Sequence, residues 1–298
     1  MKKATVFIKG GLGNQLFQFS FAKFLKQNNF SVNINTNLLN DHSNNTKREL
    51  IFPNRYFGFN EQSSFSKKKF EYFMRIHYSK KVSNSYYAKY FEDYKYSKED
   101  TIFLNKENKL YFFNGYWKNM KYIDNMEDFI ISSISKNPTV NNGFKSQLKE
   151  NYAMIHVRRG DFIKNNWHLD ISYYEESINL IENKSKKIKF DVFTDDENWV
   201  KKQKIFSRAI NIYPQKSNET TESINPNHNL GDDKEETIKT FSKMLQYSNF
   251  IVGNSSFAFW AAFLRSGKNS IITVPDPWFR NNHHQTLKKA NWITVKNN

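Results

Sequence analysis

Between residues 152 and 274 short apolar runs alternate with stretches of helical periodicity, and this alternation restricts the fold more than any other feature of the chain. The runs at 152–158 (YAMIHVR), 188–194 (IKFDVFT), 209–213, 249–253 (NFIVG) and 269–274 (NSIITV) read as strands, with helices predicted near 172–184, 197–206, 232–247 and 256–266. Strands separated by helices need crossover connections, so they form a parallel sheet covered on both faces. A polar loop at 214–231 interrupts the series, and no internal repeat or long low-complexity tract is present.

The first half starts in the same way. Residues 4–10 read as a buried strand, GLGNQ as a turn, 16–27 as a helix and 31–36 as a second strand, which is a βαβ unit with a Gly-rich first turn. From about 40 to 110 the periodicity fades, and FSKKKFEYFMRIHYSKK is the best helix candidate there. A strand at 111–117 and a helix at 125–134 follow, and the Pro-, Gly- and Asn-bearing stretch at 137–143 is the best candidate linker. The 298 residues therefore divide into two Rossmann-like domains, 1–145 and 146–298, with the last residues able to pack back on the first domain.

Composition narrows the chemistry. Lys and Arg outnumber Asp and Glu by 45 to 29, a formal charge of +16 that favours nucleotide phosphates, nucleic acid or an acidic membrane face. Codon bias toward Lys, Asn, Ile, Phe and Tyr would give the same excess without a specific role. The 28 Phe and 16 Tyr supply ample apolar surface. The lack of Cys excludes disulfides, thiolate metal sites and thiol nucleophiles, and is compatible with a reducing cytoplasm. MKKATVFIKGG reads as a first strand, not a leader, and no run of about 18 apolar residues occurs, so membrane contact is expected only at the surface.

Ligands of open α/β sheets bind outside the carboxyl ends of the strands, and four such ends are unusual. HVRRGD at 156–161 places a histidine, two arginines and an aspartate where a buried strand ends. Alternation sends His156 and Arg158 to one side and Arg159 to the other. One arginine can thus grip a pyrophosphate through paired hydrogen bonds while its neighbour pairs with Asp161 or an acidic helix residue, although a plain salt-bridge cluster fits the same residues. FTDD at 193–196 offers a carboxylate for the guanine N1–H and amine, or a cap for the next helix, with one residue free for each role. GNSSFAFW at 253–260 sets Asn254, Ser255 and Ser256 at a helix start, suited to phosphate or to ordinary capping.

GGLGNQ at 10–15 lacks the third glycine of a dinucleotide fingerprint and the GK[ST] of a P-loop. A tight turn remains that brings Gly11, Gly13, Asn14 and Gln15 close to something small and polar; a plain strand-to-helix turn would explain the glycines but not the amide pair. No hydrophobic-flanked DxD or HExxH offers a home for a catalytic metal. A basic nucleic-acid-binding protein would spread arginines and aromatics over one face, whereas here the distinctive groups cluster at strand ends and half are acidic or amide, so no nucleic-acid partner is expected.

Together GGLGNQLFQ, HVRRGDF, FTDDENW and SKMLQYSNFIVGNSSFAFWAAFL resemble, in order and spacing, the motif set of the bacterial α-1,2-fucosyltransferases, over residues 4 to about 275. The resemblance implies a GT-B-like fold with two facing Rossmann-like domains, GDP-β-L-fucose as donor, inversion, no divalent metal or other cofactor, and transfer to the 2-hydroxyl of a terminal β-galactoside in surface-glycan synthesis; a related transferase using another GDP-sugar or another acceptor position is the alternative. It implies Arg158 as the pyrophosphate ligand and central catalytic residue, with His156 and Asp161 at further donor-site positions. For the base that takes the acceptor proton, His156 and Asp161 are the nearest candidates, with a carboxylate of the first half, or no strong base at all, as alternatives. Asp195, Asn254, Ser255, Ser256 and Phe257 match further donor-site positions, and Gly11, Gly13, Asn14 and Gln15 the facing loop. Two departures stand out: QYSNF replaces a Cys-His pair before the NSSF block, and Phe259 precedes a single Trp260 where a Trp-Trp pair is common.

Overall fold

The computed structural model describes residues 2–40, 48–60, 84–85, 88–92, 110–185, 187–215, 230–280 and 286–297. The helix candidate in FSKKKFEYFMRIHYSKK and most of the loop at 214–231 lie outside them. The chain divides into two compact units, Met1–Lys136 and Asn137–Asn298.

The first unit carries β1 (Lys2–Phe7), α1 (Leu12–Gln27), β2 (Phe30–Asn35), β3 (Asn84–Ser85), β4 (Ala88–Glu92), β5 (Leu110–Asn114) and α2 (Glu127–Ile134). Its sheet runs β2-β1-β5-β4-β3, parallel except for the β3–β4 pair. Gly10, at φ 76°, turns the chain out of β1 into α1, a conformation that glycine takes without the Cβ penalty. The helix ends at Asn28, and Asn29 beyond it sits in the left-handed region that asparagine tolerates. Phenylalanines fill the core: Phe21 stacks on Trp117 at 4.3 Å between centroids, and Phe19 on Phe57 at 3.8 Å.

In the second unit α3 (Pro138–Lys145) precedes β6 (Lys149–Val157), α4 (Gly160–Lys164), α5 (Ile171–Lys184), β7 (Lys189–Thr194), α6 (Glu197–Lys202), β8 (Ala209–Pro214), α7 (Leu230–Met244), β9 (Tyr247–Ile251), α8 (Ser256–Arg265), β10 (Ile272–Asp276) and β11 (Ile293–Lys296). The sheet order is β11-β10-β9-β6-β7-β8, with every pairing parallel. One face buries Ala153, Ile155, Val157, Phe190 and Val192 against Tyr173, Ile178 and Ile181 of α5. Both units have the Rossmann-like α/β build expected of the GT-B-like class.

One expectation needs correction. The stretch at 137–143 is not a linker: Asn137 caps α3 by accepting the Val140 N–H, and Pro138 takes the first helical position, where its missing N–H costs nothing. The last residues form β11, which pairs with β10, and the Asn297 side chain donates to the Pro277 carbonyl.

Candidate active site

The outer end of β6 carries a dense charge network. Arg158 pairs with Asp161, three residues on, and with Asp195 at 2.9 Å. Asp195 also accepts the backbone N–H of Arg159 at 2.7 Å and that of Gly160 at 3.1 Å, so one carboxylate just past β7 fixes the entire turn after β6. Its side chain is fully buried, and burial raises its pKa, which Arg158 and the Arg159 amide oppose. The Asp161 side chain is 26% exposed and that of Arg158 24%. Arg158 is thus braced from behind by a carboxylate that water cannot reach and met in front by one that it can.

Arg159 turns the other way, as alternation predicts. Its Nε donates to Asp196 at 3.1 Å and its guanidinium lies 3.9 Å from the Trp199 ring centroid. Asp196 also caps α6 by accepting the Trp199 N–H at 3.0 Å. The two carboxylates of FTDD therefore divide their work, Asp196 capping α6 and Asp195 holding the arginine turn. Asp161 pairs with Arg158, not Arg159.

His156 lies on the sheet face opposite the Ile155 and Val157 side chains, and it is 1% exposed. Burial, then the nearby Arg158 charge, pushes its imidazole down to about 3, so it is neutral at ordinary pH. The neighbouring Gln215 side chain opposes that shift. A Cβ on Gly253 would stand 2.8 Å from the His156 carbonyl oxygen, so glycine is needed there for β9 to leave the sheet beside β6.

At the start of α8, Ser255 takes the capping role and accepts the Phe257 N–H at 3.3 Å. Asn254 is buried, its side-chain amide donating to the Trp167 carbonyl while Oδ1 has no partner. Ser256 opens the helix, and Phe257 packs on Phe241 at 5.5 Å between centroids.

In the first unit the Gln15 amide donates to the Gly10 and Glu49 carbonyls at 2.9 and 2.8 Å and accepts the Ile51 N–H at 3.0 Å, fastening α1 to the segment around residue 50. Gln15 is thus a buried structural tie. Gly13 is buried and Asn14 partly exposed, while a Cβ on Gly11 would meet nothing within 4 Å. Among the described residues no three His, Asp or Glu side chains converge as metal ligands, and no helix is long and apolar enough to cross a membrane.

Thus Arg158, Asp161 and Asp195 share one network at the end of β6, with His156 buried beside it, and Asn254 to Phe257 form the turn after the adjacent strand β9. Two aromatics beside the guanidinium groups escaped the reading of the sequence: Trp199 over Arg159 and Phe162, 5.5 Å from Arg158. Both stand inside the quoted motifs HVRRGDF and FTDDENW, where an aromatic flanking an arginine is the available signal.

A family model described as glycosyl transferase family 11 matches residues 3–296. The chain belongs to glycosyl transferase family 11. The resemblance to fucosyltransferases is borne out, and this family 11 chain is a glycosyltransferase. It is 30% identical to an alpha-1,2-colitosyltransferase of Escherichia coli over 97% of each chain. It is also 27% identical to the O-antigen biosynthesis glycosyltransferase WbnK of Escherichia coli, over 97% of this chain and 99% of that one. Among solved structures, the fucosyltransferase NodZ from Bradyrhizobium matches 89% of this chain and 93% of its own at 9% identity, with a TM-score of 0.47.

Proposed function

We propose that this family 11 transferase moves L-fucose from GDP-β-L-fucose to the 2-hydroxyl of a terminal β-galactoside, with inversion and without a divalent metal, in O-antigen synthesis. The observation that carries the reading is Arg158, a partly exposed guanidinium braced by buried Asp195 at the carboxyl end of a central strand. Inversion proceeds by one displacement through an oxocarbenium-like state, in which negative charge grows on the β-phosphate oxygen as the glycosidic bond breaks. A fixed guanidinium stabilises that charge without reorganising, and a donor of this kind contributes roughly 3–4 kcal/mol.

The arginine turn holds two arginines against three aspartates, so a phosphate does not meet a surplus of positive charge there. Accessible Asp161 is the partner that an incoming phosphate displaces, while Asp195 keeps the guanidinium in place. Asp161, released within reach of the reacting centre, is our candidate base for the acceptor hydroxyl. His156, 1% exposed, is closed off from an acceptor hydroxyl, and we assign it to lining the donor site. Asn254, Ser256 and the first amides of α8 are assigned to the donor's phosphates, with Ser255 and Phe257 shaping that turn. Gly11, Gly13 and Asn14 are assigned to substrate contact, with Gln15 holding their loop in shape.

The relative named as an alpha-1,2-colitosyltransferase supports the 1,2 linkage and also favours a second reading, in which the donor is the GDP derivative of colitose. A donor panel separates the two. With GDP-fucose, GDP-colitose and GDP-mannose supplied in turn beside a terminal β-galactoside, GDP-fucose should give the highest kcat/KM; a higher value for GDP-colitose would establish the second reading, and turnover of none would reject both.

A further inference from the structure

We propose that the second unit docks on anionic lipid through the corner of its sheet opposite the arginine turn, where lysines cluster around exposed Ile210. Every pairing in this sheet is parallel, so a helix that links two strands runs back, and its end meets the start of the next strand at the edge opposite the carboxyl ends. The end of α5, the start of β7, the end of α6 and the start of β8 share one corner there. They carry Lys184, Lys187, Lys189, Lys202 and Lys204, all exposed. Two contacts join these pieces. Phe190 pairs with Ala209 between β7 and β8, and Arg208, just before β8, donates to both carboxylate oxygens of Glu182 in α5 at 2.9 and 3.2 Å.

The charge of this corner is not compensated. Glu182 neutralises Arg208 and Glu197 pairs with Lys201 at 2.6 Å, whereas none of the five lysines has an acidic partner among the described residues. Attraction to the helix dipole is sufficient reason for Lys184 and Lys202, in the last turns of α5 and α6. Lys187, Lys189 and Lys204 stand outside both helices. Ile210, 54% exposed on edge strand β8, adds an apolar side chain beside them. Ammonium groups around an exposed aliphatic residue suit the headgroup boundary of an anionic leaflet. A nucleic acid would call for stacking platforms or open arginine forks. Here Arg208 is taken by Glu182, and no aromatic side chain is exposed among the described residues. β7 spans 6 residues, about 20 Å, so a leaflet at this edge lies more than one screening length from Arg158.

The test is flotation of the full-length protein with vesicles of phosphatidylcholine alone or of equal parts phosphatidylcholine and phosphatidylglycerol, and it needs no sugar donor. Wild type should float with the anionic vesicles only, and high salt should release it. Each lysine near an anionic leaflet strengthens binding on the order of fivefold, so Lys184→Gln/Lys187→Gln/Lys204→Gln should bind about a hundredfold more weakly. The matched triple Lys184→Arg/Lys187→Arg/Lys204→Arg keeps the charge and should bind as wild type does, which separates lost docking from a disturbed fold. Ile210→Ser should weaken binding while leaving its salt dependence unchanged. Failure of wild type to float, equal flotation with both kinds of vesicle, or equal binding by the Gln and Arg triples would overturn the proposal. So would binding to an oligonucleotide, lost in the Gln triple, with no binding to vesicles, since the corner would then belong to nucleic acid.

Discussion

Arg158 and Arg159 are adjacent in sequence and opposite in surroundings. Arg159 is enclosed by Asp196 and Trp199, while Arg158 keeps one accessible partner, Asp161, and one inaccessible partner, Asp195. Substituting Asp195 would therefore disturb three donors at once. His156 illustrates how burial governs chemistry at this scale. In the unfolded chain it takes up a proton near pH 6.5, whereas in the folded protein it does so only near 3. Between these values the unfolded state binds more protons, so this contribution to stability is complete above pH 6.5 and is lost as the pH falls toward 3, at about 1.4 kcal/mol per pH unit. Urea denaturation of wild type and His156→Asn on either side of pH 6.5 should show a steeper acid loss in the wild type; identical pH dependence would mean that His156 is not held neutral by burial.

Among the helices, α3 and α7 are closely packed. A Cβ on Gly143 would stand 2.5 Å from the Ser242 hydroxyl and 2.6 Å from the Ser242 carbonyl oxygen, and that hydroxyl already donates to the Thr139 carbonyl at 2.6 Å. The hydroxyl can rotate away, but the carbonyl belongs to the α7 backbone. Gly143→Ala should therefore separate the helices and cost about 1–3 kcal/mol, read as a lower denaturation midpoint with unchanged slope. Full stability in that variant would contradict the contact. The sequence offered Gly143 as evidence for a linker, because Pro, Asn and Gly mark loops locally; here Pro138 starts a helix and Gly143 permits helix packing, and only the tertiary partner distinguishes these uses. The strands β6, β7 and β9 were legible because each is an apolar run buried on both faces. β11 was not, since four residues, ITVK, carry too little pattern to stand out.

At the scale of the whole molecule, two successive α/β units follow from alternation, and the charged strand end could be read from the cost of burying charge. What alternation left open was partnership: nothing in FTDD distinguishes the carboxylate that braces Arg158 from the one that caps α6, because that depends on the register between β6 and β7 and on the turn beyond it. The role of Arg158 in a metal-independent 1,2-transfer is the central claim, and one measurement tests it most directly: transfer from GDP-fucose to a terminal β-galactoside in EDTA, with linkage analysis of the product, for wild type and for Arg158→Lys. The wild type should form the α-1,2-linked product at a rate that added magnesium does not raise, and Arg158→Lys, which keeps a charge but not the planar fork, should fold and turn over at least about a hundredfold more slowly. Near-wild-type turnover by Arg158→Lys, a different linkage, or activity that EDTA abolishes and magnesium restores would contradict it.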